Sequence, residues 1–266
     1  LGRDRRPPLP PGCREVVLRT PFAGLSKNLN KLWFEQISFA RACSDLDVDV
    51  AHVPYWASPL NPRVPTVVTI HDLIPLLLPQ YQGSLPIRLY VRLVSEAAER
   101  ASAVIAVSEA TRQDIVDHLQ LSPEQIHMVH EAAPKGMVRS DAAQISAVRH
   151  KYGLPNRFLL YLGGFDVRKN IASLLRAYAQ MVRTGDSEDY ALVVAGGLPS
   201  TDGEFRPDPR RIARQMGIEQ WVWFPGWIDE DDKAALYSAA TALSILPTVR
   251  STIAGVSLAG GPYLRT

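Results

Sequence analysis

The chain of 266 residues is 46% apolar and 21% charged, with a formal net charge of +2. That is globular composition, and so small a charge gives no argument for a nucleic-acid or strongly acidic partner. Its two cysteines, Cys13 and Cys43, have no metal-ligand spacing and make no disulfide framework, so a reducing, cytoplasmic setting is expected.

The first 27 residues carry Arg3, Arg5, Arg6 and the run Pro7, Pro8, Pro10, Pro11, and read as an irregular lead-in. A solvated tail is the simple reading, and peripheral contact with an anionic membrane is the alternative. Apolar runs such as Ile74 to Leu78 are too short to span a bilayer. From residue 28 onward, strand-like and helical patterns alternate. Asn28 to Cys43, Ile87 to Arg100 and Glu109 to Leu119 have helical spacing, and Ser108 is placed to cap the third. Between them, Val48 to Val53, Thr66 to Ile70, Ala103 to Val107 and Ile126 to Val129 are short runs rich in β-branched residues. Ser122-Pro-Glu-Gln125 reads as a capping turn.

A second alternating set follows the polar connector near Pro134 to Ser140. Asp141 to Tyr152 is amphipathic, with Ile145 and Val148 on one face and Gly153 to stop it. Strands are expected at Phe158 to Leu162, Ala191 to Ala195, Trp221 to Phe224 and Ala242 to Leu246. Helices are expected at Ile171 to Val182, Pro209 to Met216 and Glu230 to Ala240, the last capped by Asp229. Such alternation implies α/β architecture, with parallel sheets carrying helices on both faces. Two sets predict two Rossmann-like domains, over 28–138 and 139–266.

Ligands of such sheets bind at the carboxyl ends of the strands. His71-Asp72, Ser108, Gly163-Gly164, Gly196-Gly197 and Gly226-Trp227 all fall there. The stretch Phe158 to Asn170 is the most telling. It reads as a buried strand, the pair Gly163-Gly164, the cations Arg168 and Lys169, then a helix start. Glycines let backbone approach an anion closely, a helix N-terminus offers N–H groups, and the cations add charge. A phosphate or diphosphate is the ligand this arrangement suits.

Five stretches then carry a resemblance: Val67 to Leu73 (Val-Val-Thr-Ile-His-Asp-Leu), Ala103 to Thr111 (Ala-Val-Ile-Ala-Val-Ser-Glu-Ala-Thr), Tyr161 to Asn170 (Tyr-Leu-Gly-Gly-Phe-Asp-Val-Arg-Lys-Asn), Val193 to Gly197, and Phe224-Pro-Gly-Trp227 with Leu236-Tyr237. Together, and in this order, the chain resembles retaining glycosyltransferases of the GT-B fold, in the large family 4 that includes mannosyl- and glucosyltransferases. The resemblance implies an N-terminal acceptor domain and a C-terminal donor domain. It implies a nucleotide diphosphate sugar as donor, a glycan or lipid-linked acceptor, and no metal cofactor. Arg168 and Lys169 would meet the donor diphosphate and His71 the transferred sugar. Gly163, Gly164 and Gly197 would line the donor site, and Trp227 and Ile228 would contact the base through backbone atoms. Gly164 stands where many members carry an Arg, which makes a smaller cationic clamp.

Each of these residues also has a simpler reading. Ser108 can be a helix cap alone, Gly197 part of a tight turn, Trp227 and Ile228 packing residues, and His71 a structural histidine. The acidic run Asp229 to Asp232 reads as helix-start carboxylates rather than a metal site. Family members continue past the Pro247 position with a Glu-Gly-Phe-Gly-like turn and a second Glu. Here no Asp or Glu follows Asp232. The expectation is a truncated or frameshifted copy with an incomplete donor domain. A catalytically inactive fragment or nucleotide-binding accessory module is the alternative to an active hexosyltransferase.

Overall fold

The computed structural model describes residues 9–22, 24–132, 137–187 and 189–245. The expected strand end at Leu246, the tail after Pro247 and the first eight residues of the lead-in lie outside the described residues. The chain divides into two compact units, residues 1–129 and 130–266. The boundary expected after residue 138 lies inside the second of these, which begins at His130.

Unit 1 begins with a helical run in three parts: α1 (Lys27–Trp33), a π-helical turn (Phe34–Ser38) and α2 (Phe39–Asp45). It replaces the single regular helix expected over Asn28 to Cys43. Then come β1 (Ala51–Val53), β2 (Thr66–Ile70), α3 (Ile74–Leu77), α4 (Pro79–Gln82), α5 (Leu85–Glu99), β3 (Ala103–Ala106), α6 (Glu109–His118), a 3₁₀ turn (Pro123–Gln125) and β4 (Ile126–Met128). The four strands are parallel and lie in chain order, β1-β2-β3-β4. Alternation along each strand puts Val53, Val68, Ile70, Val104, Ala106 and Ile126 on one face. They are buried there with Ala98 of α5 and Ile115 of α6. Ser108 caps α6, its Oγ accepting from the Thr111 N–H, and Ser122 with Gln125 forms a capping box.

Unit 2 runs α7 (Ala142–Tyr152), β5 (Phe158–Leu162), a 3₁₀ turn (Val167–Lys169), α8 (Ile171–Thr184), β6 (Ala191–Ala195), α9 (Pro209–Gln215), β7 (Val222–Gly226), α10 (Lys233–Ala239) and β8 (Ala242–Leu243). Gly153 ends α7 in the left-handed region, as its position predicts. The parallel strand order is β7-β6-β5-β8, so the chain first builds outward from β5 and then returns to β5's other edge. Both faces are covered, as the alternating pattern predicts. Leu192, Val194 and Tyr161 pack against Leu175 and Tyr178 of α8 and Ile212 of α9. Phe158, Leu160 and Val193 pack against Val148 of α7 and Leu236 of α10. Among the described residues no helix is long and apolar enough to cross a membrane.

Candidate functional site

In an open parallel sheet the crevice for a ligand opens where the strand order reverses, beyond the carboxyl ends. In unit 2 that point lies between β5 and β8, and Gly163-Gly164 leave the sheet there.

The three neighbouring strand ends are laced together. The Gly163 N–H donates to the Ala195 carbonyl at 3.1 Å, and the Gly196 N–H donates to the Gly226 carbonyl at 2.8 Å. Gly196 has φ +141°, and a Cβ there would lie 2.0 Å from the Gly163 carbonyl oxygen. Only glycine lets these turns approach so closely. Gly197, one residue on, is exposed; a Cβ on it would meet Trp227 Cε3 at an ordinary 3.8 Å. Of the expected pair, Gly196 is therefore the one that the backbone requires.

Beyond Gly164, Phe165 is buried and its ring lies 5.9 Å from that of Tyr161, whose hydroxyl donates to the Gly164 carbonyl. Burial and then the charge of nearby Asp166 push the Tyr161 phenol well above its usual range. Arg168 and Lys169 sit on the 3₁₀ turn, ahead of α8 rather than in its first turn. The Val167 N–H donates to the Phe205 carbonyl (2.9 Å), and Lys169 N–H to the Asp166 carbonyl (2.9 Å). Asn170 follows at φ +50° and turns the chain into α8. Arg168 Nε pairs with Asp166 Oδ1 at 2.9 Å. Asp166, Arg168 and Lys169 therefore carry a combined formal charge of +1.

The turn after β7 carries Trp227, 70% exposed, and Ile228, which is 2% exposed and packs in the core against α7 and α10. Asp229 does not cap the following turn through its side chain. Its carboxylate instead accepts from Lys151 Nζ at 2.8 Å, and Asp232 accepts from the same ammonium at 2.6 Å. Tyr152 Oη donates to Asp232 (2.6 Å) and accepts from the Asp229 N–H (3.1 Å). Two residues at the end of α7 thereby hold the Trp227–Asp229 turn. Lys151 first, then Tyr152, hold the Asp232 carboxyl below the usual range. Among the described residues no group of three or more His, Cys, Asp or Glu could hold a metal ion.

In unit 1, His71 follows β2 and is exposed, with Nε2 3.0 Å from the Pro54 carbonyl. A carbonyl only accepts, so Nε2 is the donor in that contact. Thr111 Oγ1 donates to the His71 carbonyl at 2.9 Å, so the Ser108 cap also fixes the His71 backbone.

Gly163, Gly164, Arg168, Lys169, Gly197 and Trp227 thus share the carboxyl edge of the second sheet, whereas His71 belongs to the first. Sequence reasoning missed Asp166, although it stands inside the glycine–cation motif. It also missed Lys151 and Tyr152, which reach Asp229 and Asp232 across about 80 residues of chain.

Comparisons with known proteins give a consistent picture. Residues 2–133 match the model of "Glycosyltransferase Family 4" and residues 145–250 that of "Glycosyl transferases group 1". A serotype-specific mannosyltransferase WbdA of Escherichia coli is 29% identical over 178 residues, 65% of this chain and 21% of its own length. The O-antigen chain mannosyltransferase B of Escherichia coli is 26% identical over 175 residues, 65% of this chain and 45% of that protein. Anabaena Alr3699/HepE, in complex with UDP and glucose, superposes with a TM-score of 0.62 at 18% identity, over 87% of this chain and 60% of that one. The chain spans about a fifth to a half of the length of these two curated relatives.

Proposed function

We propose that this chain, which belongs to the family 4, group 1 glycosyltransferases of GT-B fold, derives from an enzyme that moves a hexose of mannose or glucose type from a nucleotide diphosphate sugar to a glycan or lipid-linked acceptor, with retention. The carrying observation is the edge of the second sheet. At its point of strand reversal stand the Gly163-Gly164 turn and the 3₁₀ turn with Arg168 and Lys169.

Cleaving a glycosyl–phosphate bond builds negative charge on the departing diphosphate. Fixed cations and backbone N–H groups that meet that charge lower the barrier without a metal. Lys169 serves as a point charge and Arg168 as a fork held from behind by Asp166. The base rests against the Trp227–Ile228 backbone, and His71 meets the transferred sugar. Support comes from the two mannosyltransferases among the relatives and from the UDP and glucose held by one structural neighbour.

Calorimetry with GDP, UDP, ADP and inorganic pyrophosphate tests the site, with Lys169→Glu as the diagnostic variant. Binding of one nucleoside diphosphate by the wild type and its loss in Lys169→Glu are expected. Unchanged affinity in the variant places the diphosphate elsewhere. Release of sugar from the bound donor tests transfer itself.

A further inference from the structure

The cations of the 3₁₀ turn are few for the ligand they would meet. With Asp166 beside them, Arg168 and Lys169 leave a formal +1, whereas a departing diphosphate carries more than one negative charge. The loop between β6 and α9, residues 196–208, brings a further cation to the same place. Its Phe205 carbonyl accepts from the Val167 N–H at 2.9 Å, so the loop is bonded to the turn that carries Arg168 and Lys169. Arg206 comes next in the chain, its Cα about 3.8 Å from that of Phe205, and it is exposed. Among the described residues its side chain has no ion-pair partner, Glu204 included, whereas Arg210 and Arg211 are committed to Asp208 and Asp202.

The loop is tied down on both sides of this point. Asp202 Oδ1 accepts from the Asp208 N–H at 2.7 Å, and its Oδ2 pairs with Arg211 Nε at 2.7 Å. Arg210 Nη2 donates to the Pro199 carbonyl at 3.1 Å, and the same guanidinium grips Asp208. The excursion from Pro199 to Asp208 is thus fastened to the first turn of α9, and Phe205 fastens it to the 3₁₀ turn. An arginine on a loop already ordered loses little backbone freedom when it takes a ligand. An exposed arginine is common on any surface. One whose neighbour is bonded to a turn with two cations stands where like charges gather, and a polyanion relieves their repulsion.

We propose that Arg206 is a third cation of the diphosphate site, and that Asp202 is the positioning residue that holds the loop carrying it. This rests on the donor reading above and deepens it. Cations from two strand ends, β5 and β6, meet the departing diphosphate, and the formal charge of the site rises from +1 to +2.

Calorimetry of the full chain with inorganic pyrophosphate, GDP and UDP tests it, read with whichever of the three binds. Arg206→Met should weaken binding about fivefold or more, the effect of one charged hydrogen bond, while Arg206→Lys should keep most of the affinity. Arg183→Met, the same charge change in the last turn of α8, should leave affinity unchanged. Asp202→Ala should weaken binding in the wild type and add nothing in Arg206→Met, because it acts through that arginine. Should Asp202→Ala fail to fold by circular dichroism, the two Arg206 variants decide. Binding that Lys169→Glu abolishes and Arg206→Met leaves unchanged overturns this proposal alone. Equal losses in Arg206→Met and Arg183→Met mean a general charge effect and overturn it as well. No binding of any of the three ligands by the wild type overturns it together with the donor reading.

Discussion

Replacing Gly196 by alanine tests whether the donor edge is built by close packing of its turns. The new methyl would lie 2.0 Å from the Gly163 carbonyl oxygen, about 1 Å inside the nearest approach that real Cβ atoms show. Neither partner is a flexible side chain, so β5 and β6 must separate at their ends. That movement breaks the Gly163–Ala195 and Gly196–Gly226 hydrogen bonds, about 1 kcal/mol each. Holding alanine at φ +141° adds roughly 1–3 kcal/mol of backbone strain. The sum is about 3–5 kcal/mol, or a fall in Tm of roughly 6–20 °C for a chain of this size. Gly197→Ala is the control. It has ordinary clearance and no positive φ, and should stay within about 1 kcal/mol of wild type. Thermal and urea unfolding of both variants provide the measurement. Equal stability of the two, or a Gly196→Ala loss below about 1 kcal/mol, would refute the packing account.

Tyr152→Phe removes the oxygen that holds the Asp229 N–H and Asp232 while keeping the ring in place. Calorimetry should show nucleoside diphosphate affinity falling about fivefold with pyrophosphate affinity unchanged; a parallel loss of both would mean general loosening instead. Asp232 is held below its ordinary pKa, chiefly by Lys151, so its stabilising effect is present above the unfolded carboxyl range and disappears as pH falls through its folded value. Melting curves should therefore separate wild type from Asp232→Asn at pH 7 and merge in acid; a gap that persists in acid contradicts the assignment. Ser108→Ala should cost about 1 kcal/mol through the lost α6 cap, measured by urea unfolding, and a neutral result removes Ser108 as the anchor of the His71 backbone.

Where local pattern decides, the sequence announces the structure to the residue. Thr66–Ile70, Phe158–Leu162 and Ala191–Ala195 are central strands whose apolar runs end at polar or glycine breaks. Elements shaped by neighbours drift. β1 forms only where it meets Thr66 to Val68, and positive φ at Asp47 and a bend precede it. Trp221 closes a 3₁₀ turn instead of opening β7. The π turn over Phe34–Ser38 leaves no trace in a hydrophobic period of 3.6. At the candidate site the glycines and cations are visible because they lie together in the chain. The Lys151 and Tyr152 contacts are hidden, since a lysine near a helix end has a sufficient local explanation in the helix dipole.

The strand orders supply what no motif could. A sheet in the order β1-β2-β3-β4 adds each strand to the same edge, and its described strands contain no reversal. The order β7-β6-β5-β8 does contain one, and it falls where Gly163 and Gly164 leave the sheet. A reversal sends the flanking connections to opposite faces, which opens a crevice between them. The glycine–cation motif is therefore meaningful by position as well as by composition: the same residues after β6 would stand one strand away from the reversal. Asp166 refines the picture further. By holding Arg168 at Nε it fixes the fork and offsets its charge. Lys169→Glu takes the formal charge of the Asp166, Arg168 and Lys169 trio from positive to negative, whereas Arg168→Met takes it only to zero. Charge reversal at Lys169 should thus weaken diphosphate binding more than neutralising Arg168 does. The opposite order in a pyrophosphate titration of Lys169→Glu and Arg168→Met would show that Asp166 releases Arg168 when the ligand arrives.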